Sequence, residues 1–124
     1  MGVSMRDFRN LEIWKRSHKA ILLLYKVTQE FPTEEKYGLT NQIRRAGVSI
    51  PSNIAEGCGH ESKKEFARYL QMAAASSSEL QYQLILAYDL KYLNDELYAE
   101  LSSSVEELKK MIYVFTKRII AGSK

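Results

Sequence analysis

The 124-residue chain has little of what staples, breaks or ligates a fold: one cysteine, two histidines, two prolines and six glycines. A lone Cys58 cannot close an internal disulfide, and Cys58, His18 and His60 fall short of the four spaced ligands of a structural zinc site. So few glycines and prolines exclude the many tight turns of a sandwich or barrel. Neither histidine has a glutamate three residues before it, which excludes the Glu-x-x-His pairs of a di-iron bundle. No long apolar run exists; Ile21 to Leu24, for example, is far too short to span a bilayer. Met1 to Asn10 lacks the apolar centre of a signal peptide, and Arg6 stands where a myristoylation motif needs Ser or Thr. Gly57-Cys58-Gly59 has neither the preceding strand nor the spacing of a dinucleotide loop. No nucleophile is set against a base and an orienting partner. These absences lead us to expect a cytoplasmic protein with no membrane partner, no cofactor, no metal and no catalytic machinery.

What is present is helical periodicity. A 45% hydrophobic and 27% charged composition is that of one ordinary globular domain. Between residues 11 and 31, Leu11, Trp14, His18, Ile21, Tyr25 and Thr28 form one stripe, and Ile13, Ser17, Ala20, Leu24, Val27 and Phe31 a second about 100° round the helix. Pro32 ends this segment. A second helix is expected over residues 34–57, capped by Thr33, with Leu39, Ile43, Ala46 and Ile50 buried. Pro51 falls inside it, opposite Gly47 four residues back, so a kinked helix is expected rather than two. A capping box, Ser62 to Glu65, opens a third helix reaching about Lys91, whose middle, Ala73 to Ser78, is all small residues that let helix axes come close. Asn94 or Asp95 caps a fourth, where Leu101, Val105, Leu108, Ile112, Phe115 and Ile119 repeat to about Ile120. Short connections make sequential neighbours antiparallel. The fold class is therefore all-α, an antiparallel up-down-up-down four-helix bundle with a proline-kinked second helix, over residues 10–121, between a lead-in of residues 1–9 and a frayed tail of residues 122–124.

Net charge is +3, and residues 1–31, with six Lys and Arg against three Asp and Glu, carry an equal excess. Lys15, Arg16, Lys19 and Lys26 share the polar face of the first helix, and Lys63, Lys64 and Arg68 cluster at the start of the third. Aligned, or repeated round an oligomer, these clusters would make an electrostatic footprint for RNA or DNA phosphates. Arg44, Arg45, Asn53, Glu56 and Glu79 lie in segments rich in small and apolar residues. They are expected to form an internal polar network that fixes helix register, or else a ligand site, because a buried carboxylate needs a cation or several donors. His18, on the first stripe, is expected to be packed and hydrogen-bonded.

The stretch Tyr37-Gly38-Leu39-Thr40-Asn41-Gln42-Ile43-Arg44-Arg45-Ala46, continuing through Gly47-Val48-Ser49-Ile50-Pro51-Ser52-Asn53-Ile54-Ala55-Glu56-Gly57, resembles the signature of one bacterial family. This family is encoded in intervening sequences of 23S ribosomal RNA genes and is sometimes labelled ribosomal protein-like. The opening Asp7 to Trp14, the turn Glu30-Phe31-Pro32, and Leu70, Ala73, Ser76, Glu79 and Leu80 resemble it too. Departures are His60, where the family usually has Arg, and Ala75, where Gly is common. The resemblance implies a four-helix bundle assembling as a homopentamer, which would cover a first helix apolar on two stripes. A distant branch, the accessory variability protein of diversity-generating retroelements, binds nucleic acid and a reverse transcriptase. For this chain the resemblance implies an oligomeric, non-enzymatic protein that binds nucleic acid through its backbone, or else a scaffold that docks a polymerase or another protein.

Overall fold

The structure, a computed structural model, describes residues 7–122; the rest of the lead-in and the last two tail residues lie outside them. A 3-10 turn, Phe8–Asn10, leads into four α-helices: α1 (Glu12–Thr28), α2 (Leu39–Cys58), α3 (Lys63–Asp89) and α4 (Asp95–Ala121), with a second 3-10 turn, Thr33–Glu35, between α1 and α2. Among the described residues there is no strand. The helices contact one another in the cyclic order α1, α2, α3, α4 and back to α1, as the four corners of a bundle do. Residue numbers run in opposite senses across each seam. Between α2 and α3, Gly57 meets Phe66 and Tyr69 while Ser49 bonds Ser76. Between α3 and α4, Lys63 reaches the Gly122 carbonyl while Gln81 bonds Glu106.

The core is the second stripe of α1 together with the stripes of the other three helices. Leu24, Ile43, Ile50, Ile54, Phe66, Leu70, Leu80, Leu84, Leu101, Leu108 and Ile112 are all buried. Three of the buried hydroxyls are satisfied within their own helices: Thr28 donates to Leu24, Ser77 to Ala73 and Thr116 to Ile112. Small residues set the closest approaches. A Cβ at Gly57 would lie 2.8 Å from the Phe66 ring and 3.0 Å from Tyr69 Cβ, and one at Gly47 would lie 2.6 Å from Leu24 Cδ2. Gly47 therefore admits α1 and also sits opposite Pro51, through which α2 runs unbroken.

Three helix ends differ from the periodic reading. Glu34 and Glu35 fall in the 3-10 turn, and α2 begins only at Leu39, after Gly38 takes φ −114°, ψ −113°. Glu35 caps it from outside: its carboxylate accepts from the Leu39 N–H at 3.0 Å and from the Tyr92 hydroxyl at 2.9 Å, joining the α1–α2 turn to the α3–α4 turn. At the other end, α2 reaches Cys58, and its cap Gly59 stays right-handed. Helix α3 stops at Asp89, where Lys91 takes φ 68° and the N–H groups of Lys91 and Tyr92 return to Tyr88 and Ala87, a Schellman closure built without glycine. Ser62 and Asn94 cap α3 and α4 through the N–H groups of Glu65 and Leu97, as their sequence positions suggest.

Gly57→Val drives side-chain atoms against the buried Phe66 ring, which has no free end to yield, and should lower stability by about 1–3 kcal/mol in urea unfolding. At the α2 entry, the Leu39 N–H, and after it the Tyr92 hydroxyl, hold the Glu35 carboxyl below its usual range. A depressed folded-state pKa adds stability that is complete above the ordinary carboxylate range and lost as pH falls through the folded value. Glu35→Gln should therefore melt below the parent protein at neutral pH, with the gap closing on acidification. A gap that ignored pH would show that the charge of Glu35 contributes nothing.

Candidate nucleic-acid interface

The expected basic residues do not make one face. Arg16 is committed to Glu107 at 2.8 Å, with Glu12 at 3.9 Å, and the α1–α4 groove lined by Lys15, Arg16 and Lys19 also holds Glu12 and Glu100. Further along the same seam, Lys110 and Arg118 share a groove with Glu12 and Glu107. At the start of α3, Lys63 caps the last turn of α4 through the Gly122 carbonyl, and Arg68 pairs with Glu65 at 3.0 Å while lying over the Tyr69 ring at 4.7 Å. Lys64 and Lys26 are exposed and make no ion pair among the described residues. Helices α1 and α3 occupy opposite corners, so their two clusters are separated rather than merged.

The internal network of Arg44, Arg45, Asn53, Glu56 and Glu79 is not formed. Glu56 and Glu79 are exposed on the outer faces of their helices. Glu56 lies 3.9 Å from His60, and Glu79 accepts from Gln83 at 3.3 Å. Asn53, half-buried, donates to the Ser49 carbonyl and hydroxyl, and the Ser49 hydroxyl meets that of Ser76 at 2.8 Å. Hydroxyls and an amide, not charges, thus fill the polar part of the α2–α3 seam, where small side chains leave no room for a carboxylate and a guanidinium. His18 is also displaced from expectation: it is exposed and lies flat on Trp14, ring centroids 4.9 Å apart at 10°. Trp14 in turn meets Phe8 edge-on at 5.0 Å.

Arg44 turns the other way, towards α1. Its Nε donates to the Thr28 hydroxyl at 2.8 Å and its Nη2 to the Tyr25 carbonyl at 3.1 Å, with the guanidinium 4.4 Å above the Tyr25 ring. Arg45, one residue on, is exposed. Two shallow grooves adjoin along this seam and share Arg44. One is lined by Tyr25, Asn41, Arg44, Arg45, Val48 and Ser49; the other, at the turn, includes Thr28, Thr33, Lys36, Thr40 and Arg44. No carboxylate lines either among the described residues. Glu30 and Glu34 are exposed nearby but line neither, and Glu35 is occupied as a cap. Lys36 lies over the Tyr37 ring at 5.5 Å, and Tyr37 is 86% exposed. The Thr40 hydroxyl in the wall is buried with no hydrogen-bond partner. Sequence reasoning assigned Arg44 and Arg45 to the interior; the usable signal was that residues 36–49 hold three cations and no acid, and of these only Arg44 and Arg45 lie within α2.

The arrangement defines a class, a small all-helical bundle with an unneutralised cationic and aromatic seam. Residues 9–114 match the 23S rRNA-intervening sequence protein family, and the chain belongs to it. The fold is similar to the crystal structure of a protein of unknown function from the S23 ribosomal protein family of Bacteroides thetaiotaomicron VPI-5482, at 23% identity and a TM-score of 0.78, over 85% of this chain and 95% of that one. No functionally curated protein matches the chain. No helix among the described residues is long and apolar enough to cross a membrane.

Arg44→Ala removes two charge-assisted hydrogen bonds that tie α2 to α1 and should cost about 1–3 kcal/mol in thermal or urea unfolding. Arg44→Lys should recover only part of this, since one ammonium cannot reproduce the planar fork and lie over Tyr25 together.

Proposed function

We propose that this protein is a non-enzymatic, homo-oligomeric helical bundle that binds nucleic acid through its phosphate backbone. The observation that carries the reading is the α1–α2 seam, where Lys36, Arg44 and Arg45 line grooves that hold no carboxylate among the described residues. Cations without acidic neighbours are the ones free to replace counterions on a phosphodiester backbone. The α1–α4 face, although richer in lysine, offers its charge beside Glu12, Glu100 and Glu107. The contacts would position the backbone rather than read bases from a duplex groove, because no helix carries a recognition pattern. Membership of a family named for 23S rRNA intervening sequences is consistent with an RNA partner.

A scaffold for another protein, a reverse transcriptase or polymerase among the candidates, is the second reading. It is favoured by exposed apolar side chains on α3, away from the seam: Tyr82 at 61% and Ile85 at 44%. The same side chains support self-association, with the pentamer as the proposed state.

Titrating structured RNA and duplex DNA across a salt series, with mass followed by light scattering, separates the readings. Nucleic-acid binding predicts affinity that falls steeply with salt. Arg45→Ala combined with Lys36→Ala should then flatten the log–log slope by about two for duplex. Lys15→Ala with Lys19→Ala should change it less. Salt-independent binding, or none, would leave protein docking as the function.

A further inference from the structure

We propose that the α1–α2 seam is a platform for single-stranded nucleic acid, on which a base stacks against Tyr25 while the flanking phosphates meet Arg44 and Arg45. This rests on the nucleic-acid reading above and narrows its substrate class.

Tyr25 is held in place by its neighbour across the seam. Arg44 covers the ring at 4.4 Å and simultaneously bonds the carbonyl of the same residue and the hydroxyl of Thr28, so ring and guanidinium fix each other before any ligand arrives. Tyr25 is nevertheless 40% exposed. A large aromatic side chain that is immobilised yet open is a surface on which a planar ligand can stack without a further ordering cost. Its guanidinium partner makes no ion pair among the described residues, so the layered pair keeps its positive charge. Arg44 thereby contributes a phosphate-attracting cation immediately behind a stacking ring. Asn41 and Val48 complete the groove with an amide able to meet base edges and an apolar contact.

The combination repeats at the turn, where Lys36 lies over the still more exposed Tyr37. Two cation–aromatic pairs beside grooves that no carboxylate lines among the described residues suit a strand whose bases are splayed out and whose backbone runs beside them. A duplex hides its base faces inside its own stack and could use only the charges. The seam therefore discriminates between strands by what the tyrosines can reach, while the cations serve both.

The test uses the intact protein and a short unstructured RNA labelled at one end, alone and annealed to its complement, followed by anisotropy at fixed salt. The single strand should bind more tightly than the duplex. Tyr25→Leu, which keeps an apolar side chain but no π-face, should weaken the single strand about tenfold and the duplex far less, and Tyr25→Phe should restore parental affinity. Should Tyr25→Leu fail to fold, the strand preference of the parent protein and of Tyr25→Phe still decides. Duplex bound as tightly as single strand, or equal losses on both from Tyr25→Leu, would overturn the stacking platform and leave backbone binding intact. Failure of the parent protein to bind either strand would overturn both proposals.

Discussion

With no Cβ at Gly57, the last turn of α2 comes against the Phe66 ring of α3. Further along, Ser49 and Ser76 meet hydroxyl to hydroxyl with Ala73 and Ser77 buried beside them. This close contact between α2 and α3 is the constraint on which the other packing choices depend. Two helices brought together on glycine, alanine and serine leave no volume for long polar side chains between them. The seam is sealed instead by short groups that satisfy one another or their own helix. Helix α4 closes on α3 through Leu101, Val105, Leu108 and Ile112, and α1 packs against α2 and α4.

The closeness of the α2–α3 seam explains where the cations go. Arg44 and Arg45 cannot enter the α2–α3 seam, so they occupy the side of α2 that faces α1 and solvent. There α1 meets them with Thr28 and Tyr25 rather than with an acid. An arginine held by a hydroxyl, a carbonyl and a ring is well ordered but not neutralised, which differs from the paired state of Arg16 or Arg68. Exposed ion pairs contribute little stability. Arg44 therefore combines two roles that usually compete, a tie between helices and a free positive charge.

Much of the architecture was legible because helical periodicity is a property of the chain itself. The stripes of α3 and α4, the caps Ser62 and Asn94 and the small-residue run each depend on neighbours within one or two turns. Of the two stripes on α1, the one through Ile13, Ser17, Ala20 and Leu24 is core; the other is mixed, Ile21 and Thr28 being buried while Trp14 is only half-buried and His18 and Tyr25 are exposed. What the sequence concealed is non-local. Glu35 reads as a first-turn acid but caps α2 from outside because Gly38 interrupts the helix, and its second partner, Tyr92, is 57 residues away. Lys91 gives no hint of its left-handed backbone, since glycine is the usual marker of that closure. The charge clusters were visible as lists of residues, but whether a lysine faces an acid on another helix depends on register between helices. Composition cannot show that Glu100 and Glu107 stand opposite the first cluster while no acid lines the grooves beside Arg44 and Arg45.

The seam also bears on assembly. One aromatic pair and a few cations on a shallow surface are a modest site, and stacking of a single base together with two or three phosphate contacts yields weak, strongly salt-dependent binding. A long strand touching several copies of such a site is held far more tightly, because each later contact is made at the high effective concentration set by the first. On the proposed reading, self-association is thus what turns a weak seam into a useful one, and the two proposals support each other. It also restricts where subunits can meet. An interface that covered Tyr25 and Arg45 would abolish the site it is meant to multiply. The apolar side chains Tyr82 and Ile85 on α3, at the corner opposite α1, are better placed to join copies while leaving every seam open.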